Sequence, residues 1–324
     1  MDIREKLYQM FILGLDGNGY KEALTKGLGG IIFFTKDIQT PEQFKNLCAE
    51  ITSQSKITPF LSIDQEGGRV ERTENIHGGK KYLSAKFAFE KGEEFLRNQT
   101  DEIAKELKSY GINMNFAPCI DVNTNPNNPI IGERAFSNKP EEVILGQKIV
   151  STTYRNNGII PCVKHFPGHG DANADSHLTL PQINLTLKEM EQTHIKPFAD
   201  AVKDGIEMVM VAHLHCTCFE KEEIPTSLSK NAINYLRNSL NFNGVAISDD
   251  MIMKGVAKFG AKTACEMGIR AGLNMFIYRN SLPETIDIIE FLVQKAQDDR
   301  ELFANIETSF EKIIELKKKF GLLK

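Results

Sequence analysis

Eight short apolar runs alternate with segments of helical periodicity, and this alternation is the strongest constraint on the fold of the chain. Continuously apolar runs are typical of strands buried on both faces, and amphipathic segments between them are typical of helices that cover a parallel sheet. The expected strands are residues 10–14, 30–34, 59–64, 113–117, 160–165, 208–213, 244–249 and 274–278. Eight repeats favour a single-domain (β/α)8 TIM-type barrel, an α/β fold, over an open sheet.

Helical segments are predicted between most of these strands, and several of them carry end signals. The segments are residues 41–54, 100–110, 140–156, 187–204, 230–239 and 260–271, followed by a terminal helix over 301–320. Thr186 followed by Glu189 predicts a capping box. Glycines stand where a helix end needs positive φ at Gly111, Gly205 and Gly272.

Composition argues for a soluble protein without a polyanionic partner. The 324 residues carry a formal net charge of -4, and no linker divides them, so one domain over 1–324 is expected. The one basic run, residues 317–319, ends the terminal helix, where it is expected to complement the helix dipole. We therefore expect no nucleic-acid partner.

The N-terminal residues resemble neither a signal peptide nor a membrane span, because acidic residues stand at positions 2 and 5 and the apolar stretch is short. A cytoplasmic location without a membrane partner is expected. The six scattered cysteines are expected to be reduced and structural, which agrees with that compartment. We also expect a monomer that needs no cofactor and no metal.

Polar residues collect where the predicted strands end, which is where barrel enzymes place their chemistry. Asp64 ends the third strand, Lys164 and His165 end the fifth, His213 ends the sixth and Asp249 ends the seventh. The loops after strands three and four add Arg69, Arg72, Asp121, Glu133 and Arg134. Such groups must pair with one another or with a ligand, so the alternative to an active site is a set of buried ion pairs.

The stretch KHFPGHGDANADSHLTLP, residues 164–181, follows the fifth strand directly. It places ionisable side chains around a loop that contains Gly168 and Gly170. A strand that runs into a polar, glycine-containing loop is typical of an active-site loop in an α/β protein.

Five motifs resemble glycoside hydrolase family 3, and more narrowly its single-domain β-N-acetylglucosaminidases of the NagZ type. They are IDQEGGRV at 63–70, GERAF at 132–136, KHFPGHG at 164–170, DSH at 175–177 and SDDM at 248–251. The resemblance runs in matching order from the third strand to the seventh. The long KHFPGHG…DSH string is its most specific part, whereas SDD alone is weak.

The resemblance implies a retaining mechanism with a covalent glycosyl-enzyme. Asp249 would be the nucleophile and the adjacent Asp250 would have a structural role. His177 would be the acid/base, because an imidazole titrates near neutral pH, and Asp175 would accept its other ring N–H and fix the tautomer.

The resemblance also implies which residues bind the sugar: Asp64, Arg72, Arg134, Lys164 and His165. A carboxylate can accept hydrogen bonds from two hydroxyls, and Arg and Lys can donate to hydroxyl or acetamido oxygens. The sequence departs from the family over residues 73–81, TENIHGGKK, which bears on the leaving-group side of the site. The implied substrate is a muropeptide fragment in which GlcNAc is linked to an anhydro-muramoyl group, used in peptidoglycan recycling.

Several alternatives stay open at this point. A β-glucosidase of the same family, or a phosphorylase that uses phosphate as acceptor, would keep the same site. A metal-dependent barrel hydrolase could use His165, His169, Asp171, His213 and His215. A non-catalytic sugar-binding protein is disfavoured because both Asp249 and His177 are present.

Overall fold

The computed structural model describes residues 1–172 and 180–323 and contains a closed barrel of eight parallel strands. The barrel strands are β1 (Phe11–Asp16), β2 (Gly30–Phe33), β3 (Phe60–Ile63), β4 (Met114–Asn115), β5 (Ile160–Phe166), β7 (Met208–Val211), β9 (Val245–Asp250) and β10 (Met275–Asn280). Each pairs with the next in chain order, and β10 closes on β1. The predicted (β/α)8 barrel is confirmed, with strand ends shifted by at most a few residues.

Two further short strands lie outside the barrel, and the sequence did not indicate them. β6 (Gln182–Ile183) pairs in parallel with β8 (His215–Cys216) in a separate two-stranded sheet. Strands of two residues carry no periodicity that could be detected. This small sheet joins the segment that follows β5 to the segment that follows β7.

Thirteen α-helices are present in the described part of the chain, most of them on the outside of the barrel. They are α1 (Ile3–Gln9), α2 (Gly19–Thr25), α3 (Pro41–Gln54), α4 (Ala85–Glu90), α5 (Glu93–Ser109), α6 (Pro140–Asn156), α7 (Leu187–Gln192), α8 (Lys196–Lys203), α9 (Lys230–Asn234), α10 (Lys254–Ala257), α11 (Ala261–Ala271), α12 (Pro283–Asp298) and α13 (Arg300–Lys319). A π-helical turn, Tyr235–Ser239, continues α9. The predicted bounds of α3 and α6 are confirmed, and α5 begins seven residues earlier than predicted.

The prediction of one helix over 187–204 is wrong, because the chain forms α7 and α8 with a break between them. Pro197 lies in the first turn of α8. Inside a continuous helix its ring would clash with the carbonyl of Thr193, and a backbone hydrogen bond would be lost. In the first turn of a new helix neither cost arises.

Glycines end three helices as predicted, with φ of 95° at Gly111, 72° at Gly205 and 107° at Gly272. These values lie in the region that side chains with a Cβ rarely adopt.

The basic run at the end of α13 contains one lysine with a role that the sequence did not indicate. Lys317 is fully buried, and its Nζ donates to Gln9 Oε1 at 2.8 Å and to the carbonyl of Gly29 at 3.0 Å. It also lies 4.8 Å from the centre of the Phe60 ring. Lys317 therefore ties α13 to the amino-terminal end of the barrel through buried contacts.

The capping box of α7 generates a stability prediction. Thr186 Oγ1 accepts from the backbone N–H of Glu189, whose carboxylate accepts from the Thr186 N–H in return. Thr186→Ala should lower the free energy of unfolding by about 1 kcal/mol in urea titrations. Thr308→Ala, on the exposed face of α13, is the control and should stay within about 0.5 kcal/mol. An equal effect of both changes would contradict the assignment of the cap.

Candidate functional site

A cavity of about 250 Å³ opens at the carboxyl ends of the barrel strands. Its polar and charged walls are Asp64, Arg72, Arg134, Lys164, His165, His169, Asp249, Asp250 and Arg279. Its apolar walls are Ile32, Phe34, Val70, Ile130, Met210, Met253 and Ile277. The structure thus brings together all five predicted sugar-binding residues and the predicted nucleophile.

A buried ion network forms one side of the cavity. Glu66 accepts two hydrogen bonds from the Arg134 guanidinium, at 2.9 Å and 2.8 Å. Lys164 Nζ lies 2.5 Å from Glu66 Oε1 and 2.7 Å from Asp64 Oδ1. Burial alone would raise the pKa of the Glu66 carboxyl, but Arg134 and Lys164 hold it well below its ordinary value.

The same balance acts on the lysine. Burial alone would lower the pKa of Lys164, but Asp64 and Glu66 raise it above its ordinary value. Lys164 is therefore charged, and the network joins the end of β3, the end of β5 and the turn Gly132–Arg134.

A second buried pair orients His165. Its Nδ1 lies 2.7 Å from Asp121 Oδ2, and its Nε2 lies 3.3 Å from Arg134 Nη2. Asp121 also accepts from the backbone N–H of His165 and, at 2.6 Å, from that of His169. Asp121 therefore fixes both the His165 ring and the start of the loop that follows β5.

Asp249 and Asp250, adjacent on β9, have different surroundings. Asp249 Oδ1 accepts from the backbone N–H of Asp250 at 2.7 Å. Burial would raise the pKa of Asp249, but the neighbouring His165 and His213, the backbone N–H of Asp250 and Lys164 together outweigh burial, and the pKa lies below its ordinary value. Asp249 is thus an ionised carboxylate on the cavity wall.

Asp250 is held by protein groups. It pairs with Arg279 Nε and accepts from the backbone N–H groups of Ile252 and Arg279, at 3.2 Å and 3.3 Å. These contacts agree with the structural role expected for Asp250.

Arg72 has no carboxylate partner in the part of the chain that the structure describes. Its guanidinium carbon lies 5.8 Å from the centre of the Phe34 ring, and its Nε is buried without a hydrogen bond there. Residues 73–81, the segment expected to bear on the leaving-group side of the site, do not line the cavity. His77 of this segment instead contacts Glu71 at 3.0 Å and stacks on Tyr82.

The histidines proposed for a metal site have separate environments. His213 Nδ1 lies 2.7 Å from Ser227 Oγ, whereas His215 Nε2 lies 3.0 Å from the carbonyl of Glu220. Over 1–172 and 180–323, the one set of side chains close enough to share an ion is Cys119, Asp121 and His165. The Asp121–His165 hydrogen bond accounts for that proximity.

Asp175 and His177 lie outside the described residues, so their assignment stays a prediction. The chain leading to them is held by the loop after β4. Asn128 Nδ2 donates to the carbonyl of His169 at 2.8 Å, and Thr124 Oγ1 donates to Asp171 at 3.0 Å. A Cβ on Gly170 would lie 1.8 Å from the carbonyl oxygen of Val122, so only glycine fits there.

Sequence reasoning missed the roles of Glu66 and Arg279. Glu66 stands two residues after Asp64, and alternate residues of an extended segment face the same side, so the spacing could have indicated it. Arg279 lies beyond the predicted end of its strand, and no motif marked it. Arg69 and Glu133, expected near the site, do not line the cavity; Arg69 donates to the carbonyls of Pro129 and Ile130.

An eight-stranded α/β barrel with a polar cavity at the carboxyl ends of its strands is the architecture of barrel enzymes, which place their chemistry at that end. The sequence profile described as Glycosyl hydrolase family 3 N terminal domain matches residues 2–316. The chain belongs to this family.

Named relatives agree with the family. The chain is 32% identical over 293 residues to a protein of Pseudoalteromonas piscicida named Beta-hexosaminidase A, covering 83% of this chain and 49% of that protein. It is 32% identical over 276 residues to the Beta-hexosaminidase of Methylococcus capsulatus, and this match covers 82% of this chain and 79% of that protein. The chain therefore spans about half the length of the first relative and most of the second.

A solved structure agrees in fold over nearly the whole chain. It is a glycoside hydrolase family 3 beta-N-acetylglucosaminidase from Paenibacillus, with a TM-score of 0.91 and 29% identity, covering 99% of this chain and 63% of that one. Over the described ranges, this protein has no helix that is long and apolar enough to cross a membrane.

The Glu66 network generates a second prediction. Glu66→Gln leaves two buried cations without their shared carboxylate, so the free energy of unfolding should fall by about 3–5 kcal/mol at neutral pH. Because the pKa of Glu66 is depressed in the folded protein, its ionisation stabilises the fold fully at pH values above the ordinary carboxylate pKa. This stabilisation is lost as the pH falls from that value toward and through the folded pKa. Wild type should therefore lose stability in acid more steeply than Glu66→Gln does.

Urea titrations between pH 3 and pH 7 test this prediction. Glu102→Gln, which removes an exposed pair with Lys80, is the control and should change stability by about 1 kcal/mol or less. A similar small effect at Glu66 would contradict the description of the network.

Proposed function

We propose that the protein is a retaining exo-acting β-N-acetylglucosaminidase that removes a terminal GlcNAc residue. The observation that carries the proposal is an ionised Asp249 carboxylate on the wall of a polar cavity, close to Lys164 and His165. The names of the Pseudoalteromonas and Methylococcus relatives support the sugar class.

Asp249 is proposed as the nucleophile. Its carboxylate attacks the anomeric carbon, the glycosidic bond breaks and a covalent glycosyl-enzyme forms, which water then hydrolyses. One Asp249 oxygen is fixed by the backbone N–H of Asp250, and no cation side chain binds the carboxylate directly in the described part of the site. The other oxygen is therefore available to attack.

Asp175 and His177 are proposed as the acid/base pair. The His177 imidazolium protonates the leaving oxygen, and the neutral ring then removes a proton from the attacking water. Asp175 accepts the second ring N–H and favours the protonated form. The hydrogen bonds from Asn128 and Thr124 support this proposal, because they hold the chain that leads to the pair.

Sugar binding is proposed to use Asp64, Arg72, Arg134, Lys164 and His165. Lys164 and Arg134 are already oriented by Glu66, so few side-chain rotations are lost when hydroxyl groups bind. Asp64 has an oxygen beyond the one that accepts from Lys164, and it can accept from sugar hydroxyls. Arg72 can donate to the acetamido oxygen or a hydroxyl.

The proposed natural substrate is a muropeptide fragment in which GlcNAc is joined to an anhydro-muramoyl group, as used in peptidoglycan recycling in the cytoplasm. The protein is proposed to act as a monomer formed by one domain over 1–324, without a cofactor. Release of 4-nitrophenol from its β-N-acetylglucosaminide and its β-glucoside, with and without phosphate, distinguishes this activity from β-glucosidase and phosphorylase activity.

Asp249→Ala should reduce turnover of 4-nitrophenyl β-N-acetylglucosaminide by roughly 10³-fold or more, because no covalent intermediate can form. Added azide should restore part of the activity and give a glycosyl azide of inverted configuration, since the anion occupies the space of the lost carboxylate. Asp250→Asn should lose much less activity. Near-normal turnover by Asp249→Ala would rule out this nucleophile.

His177→Ala should affect substrates according to their leaving group. With the methyl glycoside, whose leaving oxygen needs protonation, the rate of glycosyl transfer to the enzyme should fall by roughly 10²–10⁴-fold. With 2,4-dinitrophenyl β-N-acetylglucosaminide, which leaves without protonation, this step should be nearly normal in pre-steady-state measurements. Asp175→Asn should show the same pattern more weakly. Equal losses on both substrates would contradict the acid/base assignment.

A further inference from the structure

Arg279, near the carboxyl end of β10, is a charged group of the cavity wall to which the proposed mechanism gives no task. It lies on the strand next to β9, which carries Asp249. Its side chain is 44% exposed, compared with 19% for Asp64 and 2% for Lys164. Arg279 therefore lies at the rim of the cavity, whereas Asp64 and Lys164 lie deeper.

The guanidinium of Arg279 is held by Asp250 through its Nε atom. Nε pairs with Asp250 Oδ2, and the backbone N–H of Arg279 donates to Oδ1 of the same carboxylate at 3.3 Å. Asp250 is itself held by the backbone N–H of Ile252. An anchored guanidinium loses little conformational freedom when it binds a second group, which favours recognition.

The terminal nitrogens of Arg279 remain available. Within residues 1–172 and 180–323, neither Nη1 nor Nη2 makes a hydrogen bond with the protein. Arg279 lines the same cavity as the apolar residues Phe34, Met253 and Ile277. A planar pair of donors in a partly apolar cavity suits an oxyanion that accepts two hydrogen bonds.

We propose that Arg279 is a specificity-determining residue that binds an oxyanion on the leaving-group side of Asp249. The inference rests on the proposed function, in which the terminal sugar fills the depth of the cavity and the leaving group lies at its rim. The oxyanion has two chemical sources. It is a carboxylate carried by the leaving group, or inorganic phosphate that accepts the sugar from Asp249.

The first arm of the test compares two substrates that differ in one carboxylate. These are 4-nitrophenyl β-N-acetylglucosaminide and its analogue with a carboxylate on the phenyl ring next to the nitro group. The readout is the ratio of kcat/KM for the charged substrate to that for the neutral one. Arg279→Gln should lower this ratio about tenfold relative to wild type, as expected for loss of a charge-assisted hydrogen bond.

The second arm measures how turnover depends on the phosphate concentration. Turnover of the neutral substrate is followed with 0 to 50 mM phosphate, and glycosyl phosphate is detected among the products. If phosphate is the source, wild type forms glycosyl phosphate, and Arg279→Gln requires about tenfold more phosphate for the same rate.

Lys254→Gln is the matched control, because Lys254 follows Met253 of the cavity wall and carries the same charge without an ion pair in the described part. It should change neither readout by more than about twofold. Arg279→Lys should recover part of the ratio, since it keeps the charge but loses the planar pair of donors.

Each arm can overturn the proposal. If Arg279→Gln lowers activity on both substrates equally and changes no phosphate dependence, Arg279 only supports Asp250, and the proposal is wrong. A Lys254→Gln effect as large as that of Arg279→Gln would also overturn it, because general surface charge would then explain the preference. Failure of wild type to cleave the neutral substrate would contradict the proposed function itself, so the two failures are distinguishable.

Discussion

The cavity depends on one physical constraint, which is that the charges buried at the end of the barrel must compensate one another. Lys164 and Arg134 contribute two positive charges, and Asp64 and Glu66 contribute two negative ones, all within one set of hydrogen bonds. Unpaired charge of this kind is costly away from water, so each member keeps the others in place. The ends of β3 and β5 and the turn Gly132–Arg134 are thereby held in one arrangement before any ligand binds.

This arrangement leaves Asp249 as a buried carboxylate without a salt bridge to the described residues. Lys164 and Arg134 are occupied by Asp64 and Glu66, so neither binds Asp249 directly. His165, His213 and Lys164 lower its pKa through space, and the backbone N–H of Asp250 lowers it through a hydrogen bond. A carboxylate that is ionised by its surroundings, but not held in a salt bridge, keeps a lone pair for reaction. The pairing of the neighbouring cations thus bears directly on the proposed chemistry.

The sequence predicts much of the fold because its signals are local. Continuous apolar runs located all eight barrel strands, and the barrel then converts the strand-end positions of Asp64, Lys164, His165 and Asp249 into proximity. The sequence does not predict which of the buried polar side chains pair with one another. That Glu66 joins Lys164 to Arg134, and that Asp121 orients His165, depends on side-chain geometry between distant segments. Strands as short as β6 and β8 depend in the same way on tertiary pairing.

The depth and the rim of the cavity differ in how freely they can change. At depth, Asp64, Glu66, Arg134 and Lys164 each have a charged partner, so a substitution at Glu66 or Lys164 disturbs the whole network. At the rim, Arg279 is held by Asp250 alone among the described residues. A change at this position costs few protein contacts. In the proposed function, sugar recognition lies at depth and the leaving group lies at the rim, so preference for the leaving group can vary while the proposed chemistry at Asp249 is maintained.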